Sequence, residues 1–220
     1  MTPFYFGGGG RRLFGAYHPA AFGSEATRAA VLCHPSGGEY LNAHRTMLQL
    51  AAKLAAQGFH TLRFDYFGTG DSAGDAIEGD IAGWPADIEA AMDEIRDIAA
   101  TTTVTLIGLR LGALAAARVA VQDPGKIDAL VLWDPIARDG VAGVPAAELD
   151  ALLARYPGRA LMLSTAQGPA RTQRSSSLDG QALAGLSWAI VEDVEPWTDR
   201  SANAGLVPVK AIQQILTWLA

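Results

Sequence analysis

Short, unbroken apolar runs alternate along this chain with segments of helical periodicity, and nothing else in the sequence constrains the fold as much. Ala29 to Cys33, Phe59 to Phe64, Val104 to Ile107, Ile127 to Trp133 and Ala160 to Ser164 read as strands, and Trp188 to Val194 as the last strand. Between them the spacing predicts helices. One is capped by Asn42 and runs through Gln57, with Met47, Leu50, Ala51 and Leu54 on one face and Gly58 ending it. Pro85 to Ala99 places Ile88, Met92, Ile95 and Ala99 together, and Arg110 to Val121 is a small-residue helix ending before Pro124-Gly125. A short helix is expected at Ala146 to Arg155. Pro208 opens a closing one, with Ile212, Ile215, Leu216 and Leu219 on its inner face. A wholly apolar strand must be buried on both faces, so the pattern predicts a mainly parallel sheet between two helical layers. Arg12 to Tyr17 folds back on Phe4-Tyr5-Phe6 across four glycines, adding an antiparallel hairpin at the edge. At 220 residues, with no repeat and no linker, a single domain spanning 1–220 is expected.

Several function classes are disfavoured. The net charge of -6, from 17 basic and 23 acidic residues, argues against a nucleic-acid or anionic-membrane surface. The longest basic cluster is only Arg11-Arg12. A single cysteine, Cys33, excludes a disulfide within the chain and suggests a reducing, cytoplasmic setting. "MTPFYFGGGGRR" lacks a basic start followed by an apolar run, so no secretory signal is expected. No apolar run reaches the length of a membrane span. No histidine pair shares a helical face near an acid, no cysteine pair exists, and no G-x-x-x-x-G-K loop occurs. Neither a metal nor another cofactor is expected.

Ligands of such sheets sit beyond the carboxyl ends of the strands. That gathers "HPSGGEY", "DYFGTGDS", "GLRLG", "DPIARDG", "TAQGPAR" and "EPWTDR" into one loop cluster, with Thr165 to Ser177 its most polar part. "LIGLRLGA", from Leu106 to Ala113, is a strand, a Gly-x-Arg-x-Gly turn and a helix start. That is the geometry of a nucleophile elbow, whose flanking glycines allow a strained turn between a closely packed strand and helix. With "HPSGGE" and "FDYFGTGDSAG" upstream, the order and spacing resemble the α/β-hydrolase superfamily over nearly the whole chain. More narrowly, "RFDYFGTGDSAGD" and "LIGLRLGALAA" resemble the serine-aminopeptidase-like hydrolases and the exosortase-associated hydrolases of bacterial polysaccharide clusters, a group in which Arg also occurs inside this elbow. The resemblance implies a three-layer α/β-hydrolase fold. Only about 25 residues lie between Asp134 and Ala160, enough for a minimal lid over an open pocket suited to a bulky or carrier-tethered acyl group.

The same resemblance implies a nucleophile, an acid and a histidine, in that chain order. The elbow position holds Arg110, which stays protonated and cannot attack. Asp134 is the leading acid, ahead of Glu195 and Asp199. The four histidines, His18, His34, His44 and His60, all fall in the first third, and "EPWTDRSANAG" has none. Ordinary serine-triad hydrolysis is therefore not expected. An oxyanion hole built from the Leu111 N–H and the loop near Ser36 and Gly37 would survive, because backbone donors do not depend on side chains. Arg110 beside it, at a helix N-terminus, would make a carboxylate or phosphate site, with Trp133 at its edge. Alternatively Arg110 pairs with Glu39 or Asp134 and seals the pocket.

Other residues carry two readings each. His34 either braces the oxyanion loop or acts as a base with Ser36 or Cys33. Cys33 is a buried small hydrophobe or a thiolate activated by Arg110. Ser36 is a turn residue or a site hydroxyl. Glu39 is a salt-bridge partner or a general acid or base. Asp65 and Asp71 hold their loop through backbone hydrogen bonds, and Ser72 caps or ties the same loop. Tyr40, Tyr66, Trp133 and Trp197 are packing residues or pocket lining. Two functions follow. One is an enzyme acting on an acyl, ester or thioester-like small molecule in a bacterial biosynthetic pathway, through the oxyanion backbone and Arg110, with His34, Glu39 or Asp134 moving protons. The other is a catalytically inactive descendant that binds an anionic ligand or a partner protein. The polar loops favour the enzyme. An Arg110 closed into an ion-pair network would favour the binding module.

Overall fold

The computed structural model describes residues 1–21, 28–75, 81–135, 146–166, 185–198 and 205–220. Eight strands form one sheet: β1 (Thr2–Phe6), β2 (Leu13–His18), β3 (Arg28–Cys33), β4 (Phe59–Phe64), β5 (Val104–Leu109), β6 (Ile127–Trp133), β7 (Ala160–Ala166) and β8 (Leu186–Glu192). Five helices accompany them: α1 (Gly37–Ala56), α2 (Trp84–Ala99), α3 (Leu111–Gln122), α4 (Ala146–Arg155) and α5 (Val209–Leu219). The strand order is β1-β2-β4-β3-β5-β6-β7-β8. The β1–β2 hairpin and the β2–β4 pairing are antiparallel, and every other pairing is parallel. This is the three-layer α/β-hydrolase arrangement.

The alternation of side chains along the strands feeds two cores. Val31, Cys33, Leu62, Phe64, Leu106, Leu130 and Leu132 face α2, α3 and α4. Ala30, Leu32, Phe59, Ile107, Leu109, Val131 and Trp133 face α1 and α5. The hairpin is tied down by Arg11, which makes a two-pronged ion pair with the buried Asp87 of α2, at 2.6 and 3.0 Å. Asp87 also accepts the Phe67 N–H at 3.0 Å, so one carboxylate fixes the hairpin turn, α2 and the loop after β4 together.

The largest departure from the sequence pattern is the start of α1. It begins at Gly37, behind an extended Ser36, rather than at Asn42. Two glycines conceal the start because they have poor helix propensity. Glu39 in the first turn compensates, since a carboxylate is stabilised there and this one is also ion-paired. β8 begins and ends two residues earlier than its apolar pattern suggests. Residues 136–140 of "DPIARDG", residues 167–171 of "TAQGPAR", most of Thr165 to Ser177, and Asp199 lie outside the described residues. Among the described residues, no helix is long and apolar enough to cross a membrane.

Candidate functional site

β5 and α3 meet at a turn that only a small set of residues can make. Arg110, between them, adopts φ 59° and ψ −121°, a conformation that L side chains rarely take. The two glycines beside it are required by contact. A Cβ on Gly108 would lie 2.4 Å from the Ala113 Cα. One on Gly112 would lie 2.3 Å from the Cys33 carbonyl oxygen and 2.4 Å from that of His34. The turn is pinned by Arg110 N–H to the Trp133 carbonyl at 3.0 Å and Ala113 N–H to the Arg110 carbonyl at 3.1 Å.

The approach of Gly112 to residues 33 and 34 sets the start of α3 against the loop that leads into α1. Two helix N-termini therefore converge here, and the first-turn N–H groups of each, Leu111 and Gly37 among them, have no intrahelical acceptor. The Arg110 side chain bridges the gap. Nε and Nη2 both donate to Glu39 Oε1, at 3.1 and 2.9 Å, and Nη1 donates to the Asp134 carbonyl at 3.2 Å. The pair is partly shielded, with side-chain exposures of 16% for Arg110 and 26% for Glu39. Of five guanidinium N–H groups, these contacts use three.

The structure thus brings Arg110, Glu39, Leu111 and the Ser36–Gly37 segment together. Asp134 is buried just past β6 with φ 42°, and its Oδ1 accepts the Thr165 N–H at 2.8 Å, linking the ends of β6 and β7. Trp133 is fully buried, donates through Nε1 to Thr165 Oγ1 at 2.8 Å, and meets Trp197 edge-on. Both tryptophans belong to the core on the α5 side. Glu195 is buried. Tyr66 stacks on Trp84 at 4.0 Å within the opposite core.

In the loop after β3 the expectation for Ser36 needs correction, and Cys33 takes the first of its two readings. Ser36 is the partly buried N-cap residue of α1 rather than an exposed loop hydroxyl, and its side chain makes no capping bond. Cys33 is fully buried, and burial pushes its thiol well above the usual range, which excludes an activated thiolate. His34 is 2% exposed, packs on Tyr40 at 5.5 Å, and burial pushes its pKa down to about 3. Such an imidazole is neutral and its protonated form is strongly disfavoured, so it is poorly suited to act as a base. Asp65 holds its loop by accepting the Asp71 N–H at 3.0 Å and the Tyr40 hydroxyl at 2.6 Å. Asp71 takes part through its main chain, not its carboxylate. Ser72 ties this loop to β2, accepting from Phe14 N–H at 2.8 Å and donating to the Asp65 carbonyl at 2.5 Å. Among the described residues, no group of three or more histidine, cysteine or acidic side chains is placed to hold a metal ion.

Arg63 was not singled out by the sequence pattern, although a charged residue inside the buried run "FHTLRF" is the available signal. It is 6% exposed and stands on β4 next to His18 and near His34.

The strained turn gives a direct expectation. Arg110→Gly removes backbone strain worth roughly 1–3 kcal/mol and loses an ion pair worth about 0–1 kcal/mol. The variant is expected to be more stable by about 1 kcal/mol, read from urea unfolding midpoints at constant slope. A clear loss of stability would show that the turn is not strained.

Comparisons with known proteins agree with this geometry. Residues 25–182 match the family described as serine aminopeptidase, S33. No curated protein matches in sequence. Among solved structures, an alpha-beta serine hydrolase homologue from Coxiella burnetii superposes with TM-score 0.73 at 17% identity, covering 100% of this chain and 97% of that one. Est1E from Butyrivibrio proteoclasticus, with ferulic acid bound, gives 0.72 at 16% identity, covering 98% and 99%. XC6422 from Xanthomonas campestris, described as a serine hydrolase without lid, gives 0.69 at 19% identity, covering 99% and 94%. At these identities the likeness concerns the fold alone.

Proposed function

The chain belongs to the serine aminopeptidase S33 family of α/β hydrolases, and from that premise we propose that it is a non-hydrolytic member that binds an anionic ligand at its elbow. Arg110 stands where the fold's nucleophilic serine would stand, and it keeps the strained backbone of that position. The closed network from Arg110 to Glu39 and the Asp134 carbonyl carries this reading. A guanidinium cannot form an acyl-enzyme. Among the described residues, no histidine is placed as a base against Arg110. All four histidines are accounted for: His18 on β2, His34 after β3, His44 on α1 and His60 on β4. His34, the one nearest the elbow, is held neutral in a buried position.

What the site retains is suited to charge recognition. Two helix N-termini, each equivalent to roughly half a positive charge, point at the space beside Arg110. The two guanidinium N–H groups left over by Glu39 and Asp134 match one carboxylate or phosphate. Glu39 occupies the site in the absence of ligand and offsets the Arg110 charge. A ligand acid must compete with it. The chemical class is the carboxylate of an acyl compound or a phosphate monoester, held rather than turned over.

The test is a pair of measurements on one preparation. p-Nitrophenyl acetate and butyrate are expected to show no turnover with the wild type, and none with Arg110→Ser, since restoring the hydroxyl restores no base. Butyrate and inorganic phosphate are the binding probes. Glu39→Gln frees the guanidinium and is expected to raise affinity several-fold, whereas Arg110→Gln removes binding. Ester turnover by the wild type that Arg110→Ala abolishes would overturn the proposal, because Arg110 would then belong to a working active site.

A further inference from the structure

On the α1 side of the sheet, a cleft of about 90 Å³ lies between β2, β4 and the first two turns of α1. Buried Arg63, His34 and Asp65 form its base, Tyr40 lines it, and the exposed His44 and Asp71 stand at its rim. Two of the buried groups have hydrogen-bonding capacity that the protein leaves unused. Arg63 Nε donates to His18 Nε2 at 3.3 Å and Nη2 reaches Met1 Sδ at 3.5 Å. The first contact is long and the second is to a weak thioether acceptor, and among the described residues no carboxylate lies within ion-pair distance. Nη1 has no protein acceptor among them. A guanidinium 6% exposed, with Asp65 near it but no direct ion pair, keeps unused N–H groups, so an acceptor entering the cleft is favoured.

His34 adds the second observation. Neither ring nitrogen has a hydrogen-bond partner among the described residues, and Nδ1 is enclosed. Placing the proton on Nε2 avoids an enclosed, orphaned N–H. Nε2–H is then the donor left for a ligand. The opposite charge is arranged differently. Asp65 is engaged by the Tyr40 hydroxyl and the Asp71 N–H. The Asp71 carboxylate stands at the rim with no hydrogen bond or ion pair among the described residues. Arg63 and Asp65 put one positive and one negative charge at the base, and Asp71 puts a second negative charge at the rim. Arg63 offers an anion its unused N–H groups while the two aspartates disfavour net negative charge. A molecule with oxygen inward and positive charge outward satisfies both ends.

We propose that this cleft binds a small zwitterion of the α-amino-acid type, its carboxylate on Arg63 and His34 and its ammonium toward Asp71. The cleft volume equals that of about three liquid waters, enough for the carboxylate, one carbon and the amine, with any larger substituent leaving through the mouth. This site lies across α1 from Glu39 and does not depend on the elbow reading.

Titration calorimetry of the full chain tests it, with glycine, sodium acetate and ethylammonium chloride as probes in the tens of millimolar range. Glycine is expected to bind saturably, acetate about two- to fivefold more weakly, and ethylammonium not at all. Asp71→Asn, an exposed substitution that leaves the fold intact, is expected to abolish the preference of glycine over acetate. In the Arg110→Gln background, which removes the elbow as a second carboxylate site, Arg63→Gln removes binding of both, and Arg63→Lys serves if the glutamine variant does not fold. Arg110→Gln leaves glycine binding unchanged. The proposal is overturned if no probe binds saturably, if binding survives loss of the Arg63 guanidinium, if Asp71→Asn leaves selectivity intact, or if Arg110→Gln alone abolishes binding. In that last case the ligand sits at the elbow.

Discussion

Gly112→Ala is expected to cost about 3 kcal/mol or more, enough to unfold much of the protein at physiological temperature. The added Cβ would sit 2.3 Å from the Cys33 carbonyl oxygen and 2.4 Å from that of His34. Both are main-chain atoms at the end of β3, which is paired with β4 on one side and β5 on the other. Neither can yield as a flexible side chain would. Relief requires moving α3 away from the sheet, and nine of its residues are buried. Gly125→Ala is the matched control, because its Cβ would meet nothing closer than 3.8 Å. It is expected to change stability by less than about 0.5 kcal/mol. Urea unfolding followed by circular dichroism reads both. Equal effects in the two variants would show that the strand–helix approach is looser than its geometry.

That contact explains why the elbow is legible in the amino-acid sequence. The glycines on either side of Arg110 are fixed by packing between β5, α3 and β3, not by chemistry, so the turn needs them whatever residue stands between them. The strands are legible for a similar reason: runs buried on both faces carry little except apolar residues. The partners of Arg110 are only half legible. Glu39 and Asp134 are both candidates, and sequence spacing cannot say that one supplies a carboxylate and the other a main-chain carbonyl. The start of α1 is hidden because Gly37 and Gly38 resemble a loop, while the contacts that overrule their propensity come from β5 and from the loop after β4. Arg63 escapes notice because a lone charge within an apolar strand reads as tolerated, and its lack of a direct ion pair is a three-dimensional property.

The polar loops favour catalysis when read as sequence, and their contacts give them a structural task instead. Asp65, Ser72 and the Asp71 N–H lock the loop after β4 to β2 and α1. Asp134 locks β6 to β7. Among the described residues, these motif groups are engaged in holding the carboxyl edge of the sheet, and the charge discussed above lies in the remaining N–H groups of Arg110 at the elbow and of Arg63 in the cleft.

The same buried charge makes stability depend on pH in an unusual direction for histidine. Burial is the main cause that pushes His18 down to about 4 and His34 to about 3, with the positive Arg63 second for both. An unfolded chain binds these protons near pH 6.5. Above that value neither state is protonated and stability is flat. As pH falls through 6.5, the unfolded chain takes up two protons that the native state refuses, so stability is lost toward acid. Between pH 7.5 and 5 the two imidazoles together are expected to remove about 4 kcal/mol. Urea midpoints at the two pH values measure the loss. His18→Gln and His34→Gln each remove one titrating group and are expected to recover about half of it, whatever they do to stability at neutral pH. A double variant with the full acid sensitivity of the wild type would place the effect on the carboxylates and sink the assignment. The link to the cleft gives a further check. His34 is neutral because Arg63 and burial hold it so, and a carboxylate bound between them would favour its protonation. Glycine is therefore expected to reduce the acid loss in the wild type and to leave it unchanged in His34→Gln.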